Sequence, residues 1–349
     1  VTQRIVTDSH RLELEGHPKW SQKGFRVNHR ISPENIRHAM HVIDPVFLDS
    51  PQFINEPLSD ALGCRLITKL ETLNPIRSFK GRGTWYFVAG LESGARIVCA
   101  SAGNFGQGLA FAVRARNTVK QDDVALTVYA SVNANPLKLE RMRSLGANVV
   151  LEGEDFDAAK LAAKRFARES GATMVEDGLI PSISEGAGTI GIELAQWPEQ
   201  IEAVLVPLGN GALLNGVARW FRHASPQTQV IAVQASGAPA MIESWREGRV
   251  IQHERISTMA DGIGVRVPIP EAVSDMHGLV DDGLLVEENA ILEAMRLLHQ
   301  HLGLVVEPSG AAGVAAILEN RARFAGRLVA TVICGGNLTP QQVRDWLIA

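Results

Sequence analysis

Cysteine is scarce. The chain has 349 residues and three cysteines, Cys64, Cys99 and Cys334, set far apart. So few and so scattered, they exclude a disulfide framework and a zinc site of paired spacing. They fit a reducing, cytoplasmic setting. Charge of one sign is also lacking: 34 Lys and Arg stand against 38 Asp and Glu, for a net charge of -4 and a pI of about 6.2. No basic face is left for nucleic acid. No apolar run reaches membrane-spanning length, and the opening V-T-Q-R-I-V-T-D-S-H-R carries charges where a signal peptide would have an apolar core. Short repeats, low-complexity tracts and long linkers are missing too. A second domain is therefore expected as an insertion in the first. What is present is 46% hydrophobic and 21% charged residues, the balance of a soluble globule of this length.

From Cys64 onward, β-rich runs alternate with helical ones. Strands are expected at Arg96–Ala100, Val124–Ala130, Asn148–Leu151, Glu202–Pro207, Gln229–Gln234 and Arg327–Ile333. Helix starts are marked by Ser32-Pro33, Asn135-Pro136, Asp155 and Thr339-Pro340, each a capping side chain, three with proline at the first helical position. Residues 1 to about 50 read as an extension followed by a short helix. Such alternation means β-α-β units, parallel sheet and an α/β fold. Ligands then sit at the carboxyl ends of the strands.

Four motifs fall at such places. S-F-K-G-R-G, Ser78–Gly83, sets Lys80 where a strand-like run gives way to a helical one. A lysine on a helix is most often solvated. Here Phe79, Gly81 and Gly83 suit a tight, enclosed amine, and burial near the positive end of a helix favours the neutral, nucleophilic form. The usual use of such an amine is a Schiff base with an aldehyde. S-A-G-N-F-G-Q-G, Ser101–Gly108, is a glycine-rich strand-to-helix turn whose N–H groups suit a carboxylate, with Asn104 able to reach a phenolate. P-L-G-N-G-A-L-L-N-G, Pro207–Gly216, offers a phosphate a helix start. It fails as a dinucleotide fingerprint because Leu214 replaces the third glycine. V-I-C-G-G-N, Val332–Asn337, puts Cys334 beside two glycines. E-P-S-G-A (Glu307–Ala311) and E-G-A-G-T (Glu185–Thr189) are weaker turn-and-helix signals.

In this order and spacing the motifs resemble the fold-type II pyridoxal-phosphate enzymes, and within them the threonine/serine dehydratase family, from about Pro57 to the C-terminus. K-L-E-T-L-N-P before the lysine, L-G-A at Leu145–Ala147 and D-G-I at Asp261–Ile263 match as well. The resemblance implies a tryptophan synthase β-like fold of two open parallel-sheet domains. Residues 51–95 and 178–349 would form the large cofactor domain, with 1–50 attached to it and 96–177 inserted as the small one. Lys80 would carry pyridoxal 5'-phosphate as a Schiff base and remove the substrate's α-proton, with Phe79 beside it. Asn104 would bind the ring oxygen, and Gly209, Asn210, Gly211, Ala212 and Leu213 the phosphate. Cys334 would face the ring nitrogen. Ser101, Ala102, Gly103 and Asn104 would receive the substrate.

That implies β-elimination from a small hydroxy amino acid, giving a 2-oxo acid and ammonia, in a homodimer. A β-replacement synthase and a non-catalytic cofactor- or amino-acid-binding protein are the alternatives. The chain also departs from the family. Asn210 and Ala212 replace cup glycines, and alanine disfavours left-handed backbone, so a differently shaped cup is expected. Phe105 stands where many dehydratases carry His. Ala102 replaces the serine with which related racemases reprotonate the opposite face, which argues against racemisation. Gln234 and Ala240 stand near acidic ligands of metal-binding relatives, so no metal is expected. Arg77 is either a contact for an acidic substrate group or the partner of a structural carboxylate.

Overall fold

A computed structural model describes residues 29–348. The extension expected at the N-terminus lies outside the described residues; the helix after it is α1 (Pro33–Val42), entered as the sequence predicts. Ser32 Oγ accepts from Glu34 N at 3.2 Å and Asn35 N at 3.3 Å, and Pro33 takes the first helical position.

In chain order the strands are β1 (Gln52–Ile54), β2 (Arg65–Leu70), β3 (Arg96–Ala100), β4 (Ala125–Ala130), β5 (Asn148–Leu151), β6 (Thr173–Met174), β7 (Ala203–Pro207), β8 (Gln229–Ala235), β9 (Asp282–Val286) and β10 (Leu328–Ile333). They form a six-stranded sheet in the order β1-β2-β10-β7-β8-β9 and a four-stranded sheet in the order β5-β4-β3-β6. Every pairing is parallel except that of β1 with β2, at the sheet edge. Central strands of a parallel sheet are covered on both faces, so they read as continuous apolar runs. Ala203–Pro207 and Leu328–Ile333 are buried at every position.

Helices fill the crossovers. Lys80–Ala89 (α2) follows β2, Asn104–Lys120 (α3) links β3 to β4, Pro136–Ser144 (α4) links β4 to β5, and Phe156–Ser170 (α5) links β5 to β6. Pro181–Leu194 (α6) runs between β6 and β7, Ala212–Ala224 (α7) between β7 and β8, and Pro308–Glu319 (α8) between β9 and β10. Local chemistry sets their ends. Asn135 accepts from Leu137 N at 2.9 Å ahead of Pro136, and Asp155 accepts from Ala158 N at 2.8 Å. Gly171 stops α5 in the left-handed conformation, φ 70°.

All strands of the smaller sheet lie between Arg96 and Met174. Leu70, Ala100, Pro207 and Ile333 end β2, β3, β7 and β10. The chemistry-bearing motifs leave the sheets at these carboxyl ends, and they meet between the two sheets.

Candidate active site

Lys80 is the first residue of α2. No strand runs into it: β2 ends at Leu70, and the nine residues between form a turn held by Asn74. Its Oδ1 accepts from Ile76 N and Ser78 N, both at 3.2 Å, and its Nδ2 donates to Glu71 O at 2.9 Å and Ser78 O at 3.1 Å. The turn is stitched to the loop after β10. Phe79 N donates to Cys334 O at 3.1 Å and Gly336 N to Arg77 O at 3.0 Å. Arg77 takes left-handed backbone, φ 51°, and its side chain is exposed. Gly81 and Gly83 are each kept small by a neighbour of the helix. A β-carbon on Gly81 would strike the Phe47 ring, and one on Gly83 the Ile183 carbonyl. They let α2 pack closely against its neighbours.

The Lys80 side chain is 15% exposed and ion-paired with Asp177. Its Nζ lies 4.5 Å from the centre of the Phe79 ring and 5.9 Å from that of Phe105. Beneath it, two residues along α2, Arg82 is fully buried between Glu71 and Glu193. Its guanidinium bonds Glu71 at 2.8 and 2.9 Å and Glu193 at 2.6 and 2.9 Å. Burial opposes the guanidinium charge, and the two carboxylates outweigh it, holding Arg82 above its ordinary value. Lys69 pairs with Glu193 as well.

Asn104, the first residue of α3, faces the residue that precedes α8. Its Nδ2 donates to Glu307 Oε2 at 3.0 Å and Oε1 at 3.1 Å. Asn337 closes the group: its N donates to Glu307 Oε1 at 2.6 Å and its Nδ2 to Asn104 Oδ1 at 2.9 Å. Arg141 of α4 donates to Asn337 Oδ1 at 2.7 Å, and Lys138 pairs with Asp261 at 2.9 Å. Burial pushes the Glu307 carboxyl up, against the pull of Lys138. A cavity of about 250 Å³ adjoins it, lined in part by Lys138, Asp261, Asn337 and Trp346. Ser101 turns its hydroxyl into its own turn, accepting from Gly103 N at 3.2 Å and Gly106 N at 3.0 Å.

The Gly209–Leu213 turn runs into the N-terminus of α7. Among the described residues of this turn only Gly211 takes positive φ, 95°. Asn210 and Ala212 therefore stand where the backbone does not need glycine, and neither is strained there. Gly209 is kept small by Gly262 O, 2.5 Å from where its β-carbon would be. Cys334 is buried, and burial pushes its thiol up to about 12. Gln234 is buried, its Oε1 accepting from Ile242 N at 3.2 Å.

The family model for pyridoxal-phosphate dependent enzymes matches residues 50–335. The chain belongs to this family. A pyridoxal-phosphate enzyme of this kind has relatives with narrower names. An L-threonine ammonia-lyase of Thermotoga maritima is 35% identical over 311 residues, 88% of this chain and 76% of the relative. The processed form of threonine deaminase isoform 2 from Solanum lycopersicum superposes with a TM-score of 0.80 at 27% identity, covering 94% of this chain and 97% of that one. Maize serine racemase gives 0.83 at 25% identity, covering 90% and 96%. The architecture is that of fold-type II.

The residues present fit the cofactor. An anion needs free N–H groups at a helix start with no side chain in the way, and the Gly209–Leu213 turn provides that. A neutral thiol suits an uncharged ring nitrogen. A β-carbon on Gly335 would meet Glu307 Oε2 at 2.8 Å and Asn104 Nδ2 at 3.1 Å, so the glycine keeps this wall close and flat. Of the two weaker motifs, Glu307 opens one and sits at the centre of the site. Glu185 opens the other and serves the scaffold, accepting from Ser32 N at 3.0 Å and Asn35 Nδ2 at 2.9 Å. Asp177 was not foreseen. Its signal was a Glu-Asp-Gly run just past a short strand, at the end of a sheet where ligands bind.

Proposed function

We propose that this pyridoxal-phosphate enzyme eliminates the β-hydroxyl of a small amino acid such as L-serine or L-threonine, giving a 2-oxo acid and ammonia. Similarity to an L-threonine ammonia-lyase along 88% of the chain supports the substrate class. One observation carries the chemistry: Cys334 is buried beside the Lys80 turn, its carbonyl accepting from Phe79 N at 3.1 Å, and burial keeps its thiol neutral. It offers the ring nitrogen a neutral hydrogen bond and no compensating charge. The bound cofactor supplies the electron sink for the pair left when the α-proton goes. With a neutral partner that sink is moderate, which favours prompt loss of a β-substituent over transamination.

In this reading Lys80 holds the cofactor, with Phe79 against it, and its amine takes the α-proton. Gly209, Asn210, Gly211, Ala212 and Leu213 bind the phosphate at the N-terminus of α7. Asn104, kept in place by Glu307 and Asn337, serves the ring oxygen. Backbone N–H groups from Ser101 to Asn104 hold the substrate carboxylate. Ala102 carries no proton, so nothing at that position returns one to the opposite face. Water leaves, and the released enamine takes water up again as it hydrolyses. Residues 96–177 serve as a small domain inserted in the large one, in a cytoplasmic homodimer.

Release of 2-oxo acid and ammonia from serine, threonine and hydroxyaspartate isomers tests the proposal. Release from at least one is expected. Silence on all, or a new amino acid in place of ammonia when a thiol or amine is added, would contradict it.

A further inference from the structure

Lys80 has one more task before it can act as a base. The substrate's nitrogen must replace it on the cofactor carbon. A bond from that carbon to the substrate nitrogen forms, and the bond to Lys80 Nζ breaks. An ammonium arrives carrying three hydrogens and leaves one on the new bond. Lys80 begins with one and must end as the neutral amine with two if it is then to take the α-proton. One proton therefore passes from substrate nitrogen to Lys80, the other stays on the group that carries it, and net charge is unchanged. A carboxylate touching both nitrogens can do both.

Asp177 meets the requirement. Its Oδ2 pairs with Lys80 Nζ, and its Oδ1 is buried with no hydrogen-bond partner. The side chain is 11% exposed. A carboxylate oxygen kept from water without a donor is costly, and a substrate ammonium would supply one. The carboxylate is also fixed from both sides. Before it, Glu176 is gripped by Lys160 and by Lys164, the latter at 2.8 Å, both on α5. After it, Gly178 has φ +85° and lies so close to the Asn210 carbonyl that no β-carbon fits. Arg30 donates to Leu179 O at 2.7 Å and to Gly178 O at 3.4 Å while paired with Asp275 at 2.6 Å.

We propose that Asp177 is the catalytic proton relay of this amine exchange, Oδ1 accepting from the incoming substrate nitrogen and Oδ2 delivering to Lys80. The inference rests on Lys80 as the residue joined to the cofactor. L-Alanine tests it, since it exchanges but has no β-substituent to lose. Mixing holoenzyme with L-alanine and following the cofactor's absorbance gives the exchange rate. D177N should slow exchange by about 10²- to 10⁴-fold, the usual worth of a placed proton-transfer group. D177A should be slowed as well and should recover in proportion to added formate, which a merely structural role would not produce. Borohydride labelling separates the two readings. If the parent is not labelled at Lys80, the earlier assignment fails. If it is labelled, three results overturn the relay: an unchanged rate in D177N, no response of D177A to formate, or variants unable to carry the cofactor on Lys80.

Discussion

Asn104 and Glu307, 203 positions apart, are held together through both carboxylate oxygens, at 3.0 and 3.1 Å. The contact ties the strand-to-helix turn after β3, in the smaller sheet's layer, to the start of α8, beside the larger sheet. Each end is fixed again by Asn337. The side chain assigned to the cofactor's ring oxygen is thereby oriented by a buried carboxylate.

Glu307 makes that arrangement sensitive to pH. Burial raises its carboxyl above the ordinary 4.5. The folded protein then holds a proton that the unfolded chain has released, so stability falls as pH rises from the unfolded value through the folded one. Glu307→Gln removes this titration. Denaturant midpoints measured from acidic to neutral pH should show the variant gaining on the parent as pH rises; parallel curves would refute it.

Arg82 bears on stability. It is fully buried between Glu71 and Glu193. Arg82→Leu leaves two carboxylates without their partner and should cost about 3–5 kcal/mol, the usual penalty for breaking a buried pair. Equilibrium unfolding at neutral pH checks it. A loss near the level of a surface substitution would mean that Lys69 alone satisfies Glu193.

Much of this was legible in the chain because strand ends and glycine turns are local signals. Arg96–Ala100 and Asn148–Leu151 fall where their apolar runs place them, and Lys80, Asn104, Cys334 and the Gly209–Leu213 turn do converge. Other elements were hidden by local chemistry that only tertiary structure explains. The Lys69 of β2 breaks an apolar run, yet its amine is paired with Glu193 in the interior. Strand β9 begins with Asp282-Gly283, which reads as a turn. Glu307 looked like a helix-start residue, and Asp177 stood out as nothing in particular. Neither carboxylate declares its partner in sequence, because those partners lie 203 and 97 positions away.

The cysteines give an independent check on burial. Cys64 is pushed up to about 11, and Cys99 and Cys334 to about 12, burial being the leading cause each time. At mildly alkaline pH the native protein should leave a thiol reagent unreacted, and denaturant should release three thiols. Rapid labelling of Cys334 in the folded protein would contradict its enclosure.

Every assigned role depends on a covalent link at Lys80. Reducing the purified enzyme with borohydride, digesting it and weighing the peptides tests this directly. A reduced pyridoxyl-phosphate adduct is expected on Lys80 in the parent and none in Lys80→Ala. A parent whose Lys80 peptide keeps its unmodified mass, or an adduct on another lysine, would contradict it.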